Sequence, residues 1–352
     1  MEQNQWSYSC PLPSDEEQSL ISMSHGAGGQ LSRDLLDQVI LPAFDNPVLR
    51  RKEDQAQLML PSARCAFTTD SYVVNPIEFP GGDIGHLAVC GTINDLAVGG
   101  AKPLYLSASF IIEEGLPISL LSKIVRSMAE CCYESGVSIV CGDTKVVERG
   151  KADKIFINTS GVGNLPEGVN LSSSHVQVGD HIIISGTLGD HGTSILACRS
   201  GFDFAGELKS DCAPLDSLCQ LVMLTAPEGI RCMRDPTRGG LSASLFEIAS
   251  DSRVSMEISE RKIPVRREVK SLCELLGLDP LYIANEGKLL VLCDPNVSES
   301  LVHKMRSHPL GVHSQIIGKV CETAPGKVLV ESITGVKRLL PQIAGEQLPR
   351  IC

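Results

Sequence analysis

The sequence predicts an α+β protein with two domains. Its 352 residues are enough for two domains of ordinary size. Helices and strands are predicted in both halves, without the strict alternation that a doubly wound parallel sheet requires. A loop-like stretch at residues 165–179 contains Pro166, Gly168 and three consecutive serines, and it separates the halves. We therefore predict a first domain at residues 20–168 and a second at 169–341.

The elements of the first half follow from apolar spacing and from helix-start signals. Leu31, Leu35 and Val39 recur at helical spacing and predict a helix. Pro117 sits near the first turn of a second helix with a clear apolar face. The elements predicted for this half are helices at residues 84–98 and 117–133 and strands at 66–74, 104–113, 138–141 and 154–162.

The second half opens with a buried strand at residues 181–185, where three isoleucines follow one another. Further elements are predicted as helices at 241–250, 267–276 and 298–306 and strands at 288–293, 315–320 and 327–331. Residues 1–19 are polar and acidic and predict a disordered extension. The last residues, 342–352, are predicted to form a flexible tail.

Charge and cysteine content limit the classes of function. The net charge of −11 argues against nucleic acid or an anionic membrane surface as the main partner. No apolar run approaches membrane-spanning length. The 14 cysteines include no Cys-x-x-Cys pair, so most are expected to be small buried hydrophobes. We therefore expect a cytoplasmic protein whose thiols are mostly reduced.

The last residue, Cys352, is a candidate functional thiol. Chain ends lie on the surface unless they are tied down, and a thiolate can act as a nucleophile or carry an acyl group. The alternative is a chance terminal cysteine in a cysteine-rich chain. From Gln342 to Cys352 there are ten residue steps, so the extended tail spans at most about 33–36 Å. We expect a buried and an exposed tail state.

Acidic residues beside extended segments form the second candidate feature. Mg²⁺ prefers oxygen ligands and commonly bridges carboxylates to nucleotide phosphates. Glycine-rich loops at residues 25–29 and 80–82 would let backbone N–H groups approach phosphates. Neither loop is a Walker A sequence. A single Asp or Gly is usually just a turn residue, but the set indicates a metal–nucleotide site. Its six aspartates are Asp54, Asp70, Asp83, Asp95, Asp143 and Asp235.

Two further charged residues have a possible catalytic use. Lys145, in a predicted loop after Gly142-Asp143-Thr144, would neutralise charge developing near a phosphate. Glu286, within Ala-Asn-Glu-Gly-Lys, would remove a proton if its pKa is raised. The residues alone leave open that both are solvated loop charges.

Together these segments resemble the HypE family of hydrogenase maturation proteins, within the superfamily typified by aminoimidazole ribonucleotide synthetase and selenophosphate synthetase. The resemblance runs from about His25 to Cys352. The acidic loops are shared across the superfamily, whereas the terminal Pro-Arg-Ile-Cys is specific to this family. The segments are His-Gly-Ala-Gly-Gly-Gln (25–30), Thr-Asp-Ser-Tyr-Val-Val (69–74), Phe-Pro-Gly-Gly-Asp-Ile-Gly (79–85), Asn-Asp-Leu-Ala-Val (94–98), Gly-Asp-Thr-Lys-Val-Val (142–147), Gly-Thr-Leu-Gly-Asp-His-Gly (186–192), Asp-Pro-Thr-Arg-Gly-Gly (235–240), Ala-Asn-Glu-Gly-Lys (284–288) and Pro-Arg-Ile-Cys (349–352).

The resemblance implies a two-domain PurM-like fold, in which the N-terminal domain binds ATP and forms half of a β-barrel in a homodimer. It implies ATP-dependent dehydration of a carboxamide on Cys352 to a thiocyanate, the source of the cyanide ligands of the [NiFe] hydrogenase iron. The implied partners are a HypF-type carbamoyltransferase, which loads the sulfur, and a HypC–HypD complex, which receives the cyano group.

The resemblance also implies residue roles by motif position. Cys352 would be the covalent carrier, Glu286 the base and Lys145 the charge-stabilising group. The implied Mg²⁺ ligands are Asp54, Asp70, Asp95 and Asp235. The implied ATP contacts are Gly28, Gly29, Gly81, Gly82, Asp83, Asn94, Asp143 and Thr144.

Two other readings compete. A synthetase of the selenophosphate or purine type would explain the acidic loops but leaves Cys352 without a task. A non-catalytic scaffold that delivers metal or sulfur would use the cysteines and the tail. It would leave the predicted metal–nucleotide site unexplained.

Overall fold

The computed structural model describes residues 20–27, 29–52, 55–201, 208–322, 324–342, 348 and 351–352. The described residues form one large β-sheet in each half, with helices packed against both sheets. The predicted α+β class is confirmed. The predicted extension at residues 1–19 and most of the tail, residues 343–347 and 349–350, lie outside the described residues.

A four-stranded sheet forms the first half. Its strands are ordered β1-β6-β4-β5, and β4 and β5 are the one parallel pair within it. A two-stranded ribbon, β2 with β3, lies between β1 and the next helix. The strands are β1 (Cys65–Tyr72), β2 (Glu78–Phe79), β3 (Gly82–Asp83), β4 (Lys102–Glu113), β5 (Ser138–Val147) and β6 (Ile155–Asn164).

The helices of this half are α1 (Gln30–Leu35), α2 (Leu41–Phe44), α3 (Ile84–Val98) and α4 (Ile118–Glu134), with a π-helical segment, Leu36–Ile40, joining α1 to α2. The Asp83 carboxylate begins α3 by accepting hydrogen bonds from the N–H groups of Gly85 (2.8 Å) and His86 (2.9 Å). Every residue of α3 except His86 and Asp95 is buried. This helix is therefore central to the molecule, and its two partly exposed side chains are both polar.

The second half contains a seven-stranded sheet in the order β13-β12-β9-β11-β7-β10-β8. Its one parallel pair is β12 with β9. The central strands β7 and β10 are almost wholly buried, which their runs of apolar residues require. The strands are β7 (His181–Ile184), β8 (Ile230–Arg234), β9 (Ser255–Ser259), β10 (Leu290–Cys293), β11 (Gln315–Cys321), β12 (Val328–Glu331) and β13 (Lys337–Leu339).

The helices of the second half are α5 (Asp190–Ser200), α6 (Asp216–Thr225), α7 (Gly240–Ser252), α8 (Arg267–Leu276) and α9 (Pro295–Met305). Helices α3 and α8 match their predicted bounds. The sequence analysis missed α5 and α6 and the strands β8, β9 and β13. Helix α5 carries no amphipathic signal because its polar first turns, Asp190 to Ser194, are themselves buried. No helix in the described part of the chain has the length and apolar character needed to cross a membrane.

Two of the acidic residues lie inside elements that the sequence predicts: Asp70 lies within β1 and Asp95 within α3. Strand β5 continues past its predicted end at residue 141 through Asp143 and Lys145 to Val147, where it pairs with β4. The partner strand β4 extends β5 beyond what the local sequence indicates, because the hydrogen bonds between the two strands outweigh the turn preference of Gly142 and Asp143.

Candidate active site

The end of the chain is docked against the first sheet. Ile351 is 6% exposed and packs in the same core as Tyr72 and Leu87. The backbone N–H of Val73, just beyond β1, donates to the Cys352 carbonyl at 3.4 Å. The Nε2 atom of His191 lies 2.6 Å from the Ile351 carbonyl oxygen. The last two residues, Ile351 and Cys352, are therefore held against the fold in this structure.

Docking brings Cys352 to a small cleft of about 50 Å³ that contains four acidic side chains. They come from different parts of the fold: Asp70 from β1, Asp95 from α3, Asp235 from the loop after β8, and Glu286 from the loop before β10. Arg238 and Tyr72 also line this cleft. Five of the predicted site residues, from both halves of the chain, thus meet at one place.

The loops that carry Asp235 and Glu286 are fixed by one asparagine. Asn285 is fully buried; its Nδ2 donates to the carbonyls of Pro236 (3.0 Å) and Ile283 (3.1 Å), and its Oδ1 accepts from the Gly189 N–H at 2.7 Å. Below them, Asp211 accepts from the backbone N–H groups of Glu286 (3.2 Å) and Gly287 (3.3 Å). The carboxylates are therefore held by buried polar contacts rather than by flexible loops.

Burial and mutual repulsion raise the pKa values of two aspartates. Burial raises the pKa of Asp70 to about 6, and the neighbouring Asp95 adds to this. Burial raises the pKa of Asp235 to about 7, with further contributions from Asp95 and Asp70. Thr68 Oγ1 donates to Asp95 Oδ2 at 2.7 Å. Three converging carboxylates with unfavourable charge suit a hard divalent cation such as Mg²⁺.

Glu286 is a buried carboxyl group with one oxygen that has no partner among the described residues. Its side chain is 2% exposed, and Oε1 has no hydrogen-bond partner among the described residues. Burial raises its pKa well above the ordinary range, and negative charge at Cys212, Asp235, Asp211 and Asp70 raises it further. An orphaned buried carboxyl oxygen is costly, so this side chain is suited to a substrate that supplies the missing partner.

A larger cavity of about 760 Å³ lies at the other edge of the first sheet. Its lining includes Gly26, Asp143, Thr144 and Lys145, and basic side chains Arg33 and Lys52. Apolar residues of α1, α2 and the sheet complete the wall, and the volume is in the range of small-molecule sites. Lys145 Nζ lies 3.3 Å from Asp143 Oδ2, and its side chain is 66% exposed.

One row of paired residues connects the two sites across the sheet: Asp70, Thr159, Ala108 and Gly142 lie opposite one another on β1, β6, β4 and β5. Three strand spacings of about 4.8 Å separate Asp70 from Gly142 by roughly 14 Å. Helix α3 covers this row, since Thr159 is fully buried and its Oγ1 donates to the Ala88 carbonyl at 3.1 Å, so the two cavities are separate.

The remaining predicted ATP contacts are placed differently. Gly28, and the predicted metal ligand Asp54, lie outside the described residues. Gly29, Gly81, Gly82, Asp83 and Asn94 line neither of these two cavities.

Two of these five use their side chains within the chain instead. Asp83 caps α3 and accepts from Ser127 Oγ at 2.6 Å. Asn94 Nδ2 donates to the carbonyls of Ala213 (3.2 Å) and Glu286 (3.3 Å). Gly81, with φ of +97°, lies against Ser210 so closely that a Cβ would come within 2.7 Å of its carbonyl oxygen. The side chains of Asp83 and Asn94 therefore make contacts within the chain, and direct binding of ATP by them stays a prediction.

No site role was predicted for His191, Asp211, Lys288 or Arg238. His191 contacts the Ile351 carbonyl next to Cys352. Lys288 Nζ lies 2.9 Å from Asp211 Oδ2 and 3.5 Å from Asp190 Oδ2, beneath the Glu286 loop. The motifs at residues 186–192 and 284–288 contain His191 and Lys288, but only the fold shows what these two residues contact.

This chain is similar to known proteins over most of its length. The N-terminal domain of the AIR synthase related protein family matches residues 52–165, and the C-terminal domain matches residues 177–331. Carbamoyl dehydratase HypE of Azotobacter vinelandii is 49% identical over 332 residues, which are 94% of this chain and 97% of that protein. The chain belongs to the HypE family. Carbamoyl dehydratase HypE of Escherichia coli strain K12 is 47% identical over 337 residues, 94% of this chain and 99% of that protein.

Solved HypE structures share the fold. A HypE in complex with ATP superimposes with a TM-score of 0.90 at 45% identity, covering 94% of this chain and 99% of that one. HypE in a HypE–HypF complex has a TM-score of 0.77 at 47% identity, covering 90% and 100%. Thiamine-monophosphate kinase of Stenotrophomonas maltophilia, at 18% identity and a TM-score of 0.63 over 82% of this chain and 96% of that one, shares the fold alone. The predicted PurM-like, two-part fold is thus confirmed at the level of the family.

Proposed function

We propose that this chain catalyses the ATP-dependent dehydration of a carboxamide on the Cys352 sulfur to a thiocyanate. The observation that carries this proposal is the docked Cys352 in one cleft with Glu286 and three aspartates. The HypE relatives are named carbamoyl dehydratases, and one HypE has been solved with ATP. The thiocyanate would supply the cyanide ligands of the [NiFe] hydrogenase iron.

The chemistry requires a better leaving group than an amide oxygen. Transfer of the γ-phosphoryl group from ATP to the carboxamide oxygen provides one. Loss of both nitrogen protons and of phosphate then forms the C≡N bond, so that S–C(=O)NH₂ and ATP give S–C≡N, ADP and phosphate. Glu286, whose pKa is raised by burial, would in its ionised form accept a proton from the nitrogen. Cys352 carries the group and does not attack ATP.

Asp70, Asp95 and Asp235 would hold Mg²⁺, with Asp54 as the predicted ligand outside the described residues. When bound, the cation would neutralise and orient the triphosphate. Lys145 and Thr144, which line the larger cavity on β5 rather than the acidic cleft, would contact the same nucleotide. Lys145 would stabilise phosphate charge there.

The homodimer with a shared β-barrel is part of this proposal. The face of the first sheet away from α3 carries apolar cross-strand neighbours. Phe67, which is 68% exposed, pairs with Val162, which in turn pairs with Tyr105. Ile111, 44% exposed, pairs with Phe156. An apolar sheet face of this kind is suited to a second copy.

The partners, the location and the division into domains are likewise proposals. A HypF-type carbamoyltransferase would load Cys352, in keeping with the solved HypE–HypF complex, and a HypC–HypD complex would receive the cyano group. The twelve cysteines other than Cys352 within the described residues are free thiols, which suits a reducing cytoplasm. Residues 20–168, 169–341 and 342–352 would be the two domains and the tail.

The deciding experiment is intact-mass analysis after incubation with HypF, carbamoyl phosphate and ATP, with Cys352→Ala as the matched control. We expect a carboxamide to appear on the wild-type chain, followed by loss of water only when ATP is hydrolysable. An unmodified wild type, or equal modification of Cys352→Ala, would favour a synthetase of the selenophosphate or purine type instead. A tightly bound transition metal with no ATP hydrolysis would favour a non-catalytic scaffold that delivers metal or sulfur.

A further inference from the structure

One cluster of ligand atoms lies outside the site described above. His86 Nε2 and Cys90 Sγ, four residues apart on α3, are 3.4 Å from each other. Cys212 Sγ, from the segment before α6, joins them, and all three atoms lie within 4.8 Å of one another. Within the described residues, it is the one group of three or more His, Cys, Asp or Glu side chains whose ligand atoms all lie this close together.

We propose that His86, Cys90 and Cys212 bind a thiophilic divalent cation, Zn²⁺ being the ion that best fits their donor atoms. Tetrahedral Zn²⁺, with bonds of about 2.3 Å to sulfur and 2.0–2.1 Å to nitrogen, sets N and S roughly 3.5 Å apart. The His86–Cys90 distance already has this value. The i, i+4 spacing on one helix face fixes these two ligands in advance, so only Cys212 has to adjust by a small amount.

The surroundings of the cluster suit a closed site. Cys90 is fully buried, and Cys212 is 8% exposed. Cys131 Sγ, from α4, lies 3.5 Å from Cys90 Sγ and is available as a fourth donor or as a thiol that hydrogen-bonds the ligand sulfur. His86 Nε2 also lies 3.3 Å from the Cys212 carbonyl oxygen. Three thiols and an imidazole are therefore packed together at the junction of α3, α4 and the 208–215 segment.

The usual explanation for buried cysteines is that they serve as small hydrophobes. That explanation suits Cys219 and Cys293, which pack in an apolar cluster of the second half. It does not by itself explain why the partly exposed His86 imidazole places its Nε2 within 3.4 Å of the Cys90 thiol and near Cys212. The soft donor set also differs from the all-oxygen acidic cleft, so the two sites select different ions.

A cation here would join α3 to the segment that positions Glu286. Both neighbours of Cys212 contact the Glu286 backbone: Asp211 accepts from its N–H, and the Ala213 N–H donates to its carbonyl at 3.4 Å. Bound metal would thus fix Asp211 and Ala213 relative to α3. The inference does not depend on the proposed reaction, because metal binding and segment ordering are measured without ATP or carbamoyl phosphate.

The test uses the full chain with Cys352→Ala, so that the terminal thiolate cannot contribute. The metal-stripped protein is titrated with Co²⁺ as a spectroscopic probe. We expect thiolate-to-Co²⁺ charge-transfer absorption that saturates at one ion per chain and is bleached by one equivalent of Zn²⁺. Hydrogen–deuterium exchange at residues 210–213 should slow when Zn²⁺ is added.

Three variants locate the signal. His86→Gln, Cys90→Ser and Cys212→Ser should each abolish or strongly weaken the charge-transfer band, whereas the matched buried control Cys219→Ser should retain it. Circular dichroism and thermal melting of each metal-free variant establish that it is folded. If a variant fails to fold, the proposal is still tested by the Co²⁺ spectrum and the hydrogen–deuterium exchange of the Cys352→Ala protein, in which His86, Cys90 and Cys212 are unchanged. Absence of the band there, or its survival in folded Cys212→Ser, would overturn the proposal.

Discussion

The imidazole of His191 and the backbone carbonyl of Ile351 are hydrogen-bonded at 2.6 Å, although 160 residues separate them in the chain. His191 Nδ1 lies 2.8 Å from Ser210 Oγ, so both ring nitrogens have partners. The ring also makes an edge contact with Phe79, with centroids 5.5 Å apart. This buried histidine therefore connects the second half of the fold to the residue before the carrier cysteine.

Replacing His191 by Ala should release the tail. Leaving a buried carbonyl without its donor costs about 1–3 kcal/mol, which shifts the docked–undocked ratio by roughly tenfold or more. Alkylation of Cys352, followed in the C-terminal peptide by mass spectrometry, should become correspondingly faster. His313→Ala, at an exposed loop position, is the control and should leave the rate unchanged. Equal rates in His191→Ala and wild type would mean that this contact does not hold the tail.

Glu286→Gln should separate ATP binding from dehydration. The amide preserves size and removes the base, and a positioned base contributes about 10²–10⁴-fold to rate. We expect ATP affinity to stay near that of the wild type, while protein carrying the carboxamide accumulates. Intact mass over time measures this. Glu134→Gln, on the exposed end of α4, serves as control. Undiminished thiocyanate formation in Glu286→Gln would exclude Glu286 as the base.

Asp235→Asn should stabilise the metal-free protein at pH 8. Burial raises the folded-state pKa of Asp235 to about 7, above its unfolded value of about 3.9. The folded state thus retains the proton more strongly, and the stability that this provides is lost as pH rises through about 7. Removing the charge should raise the unfolding free energy at pH 8 by on the order of 1–3 kcal/mol. Denaturant melts at pH 6 and 8 measure this.

In the same melts, the exposed Asp45→Asn should show no such gain, since it lacks a buried carboxylate neighbour. Asp235→Asn should also lose Mg²⁺-dependent ATP binding. A variant that is destabilised at pH 8, or that binds Mg²⁺ as the wild type does, would contradict the assignment of Asp235 to the cation site.

Mg²⁺ binding should release protons and strengthen as pH rises. The pKa values of Asp70 and Asp235, raised by burial to about 6 and about 7, mean that both carboxyls are partly protonated at pH 6. The cation requires the ionised forms, so its affinity should increase by about tenfold or more between pH 6 and 8. Calorimetry in two buffers of different ionisation enthalpy detects the released protons. A pH-independent affinity would argue against ligation by these two side chains.

Helix and strand positions were largely predictable where the apolar residues form a regular pattern or an unbroken run. The apolar face of α4 and the uniform apolar runs of β7 and β10 each carry a local pattern. Helix α5 was missed because its buried residues, Asp190 to Ser194, are polar and draw their partners from distant loops. Strand β5 was ended too early, because only the pairing with β4 extends it past Gly142.

The sequence by itself determined the chemical groups of this protein: a terminal thiol, a set of aspartates, a glutamate in a glycine-flanked loop, and the motifs that indicate their family. Only the tertiary structure decided which of them meet. It brings Cys352, Glu286, Asp70, Asp95 and Asp235 into one cleft and uses Asp83 and Asn94 to hold helix α3 and the Glu286 loop. The physical reason is that residue identity is local, whereas desolvation and hydrogen-bond partnership depend on segments far apart in the chain.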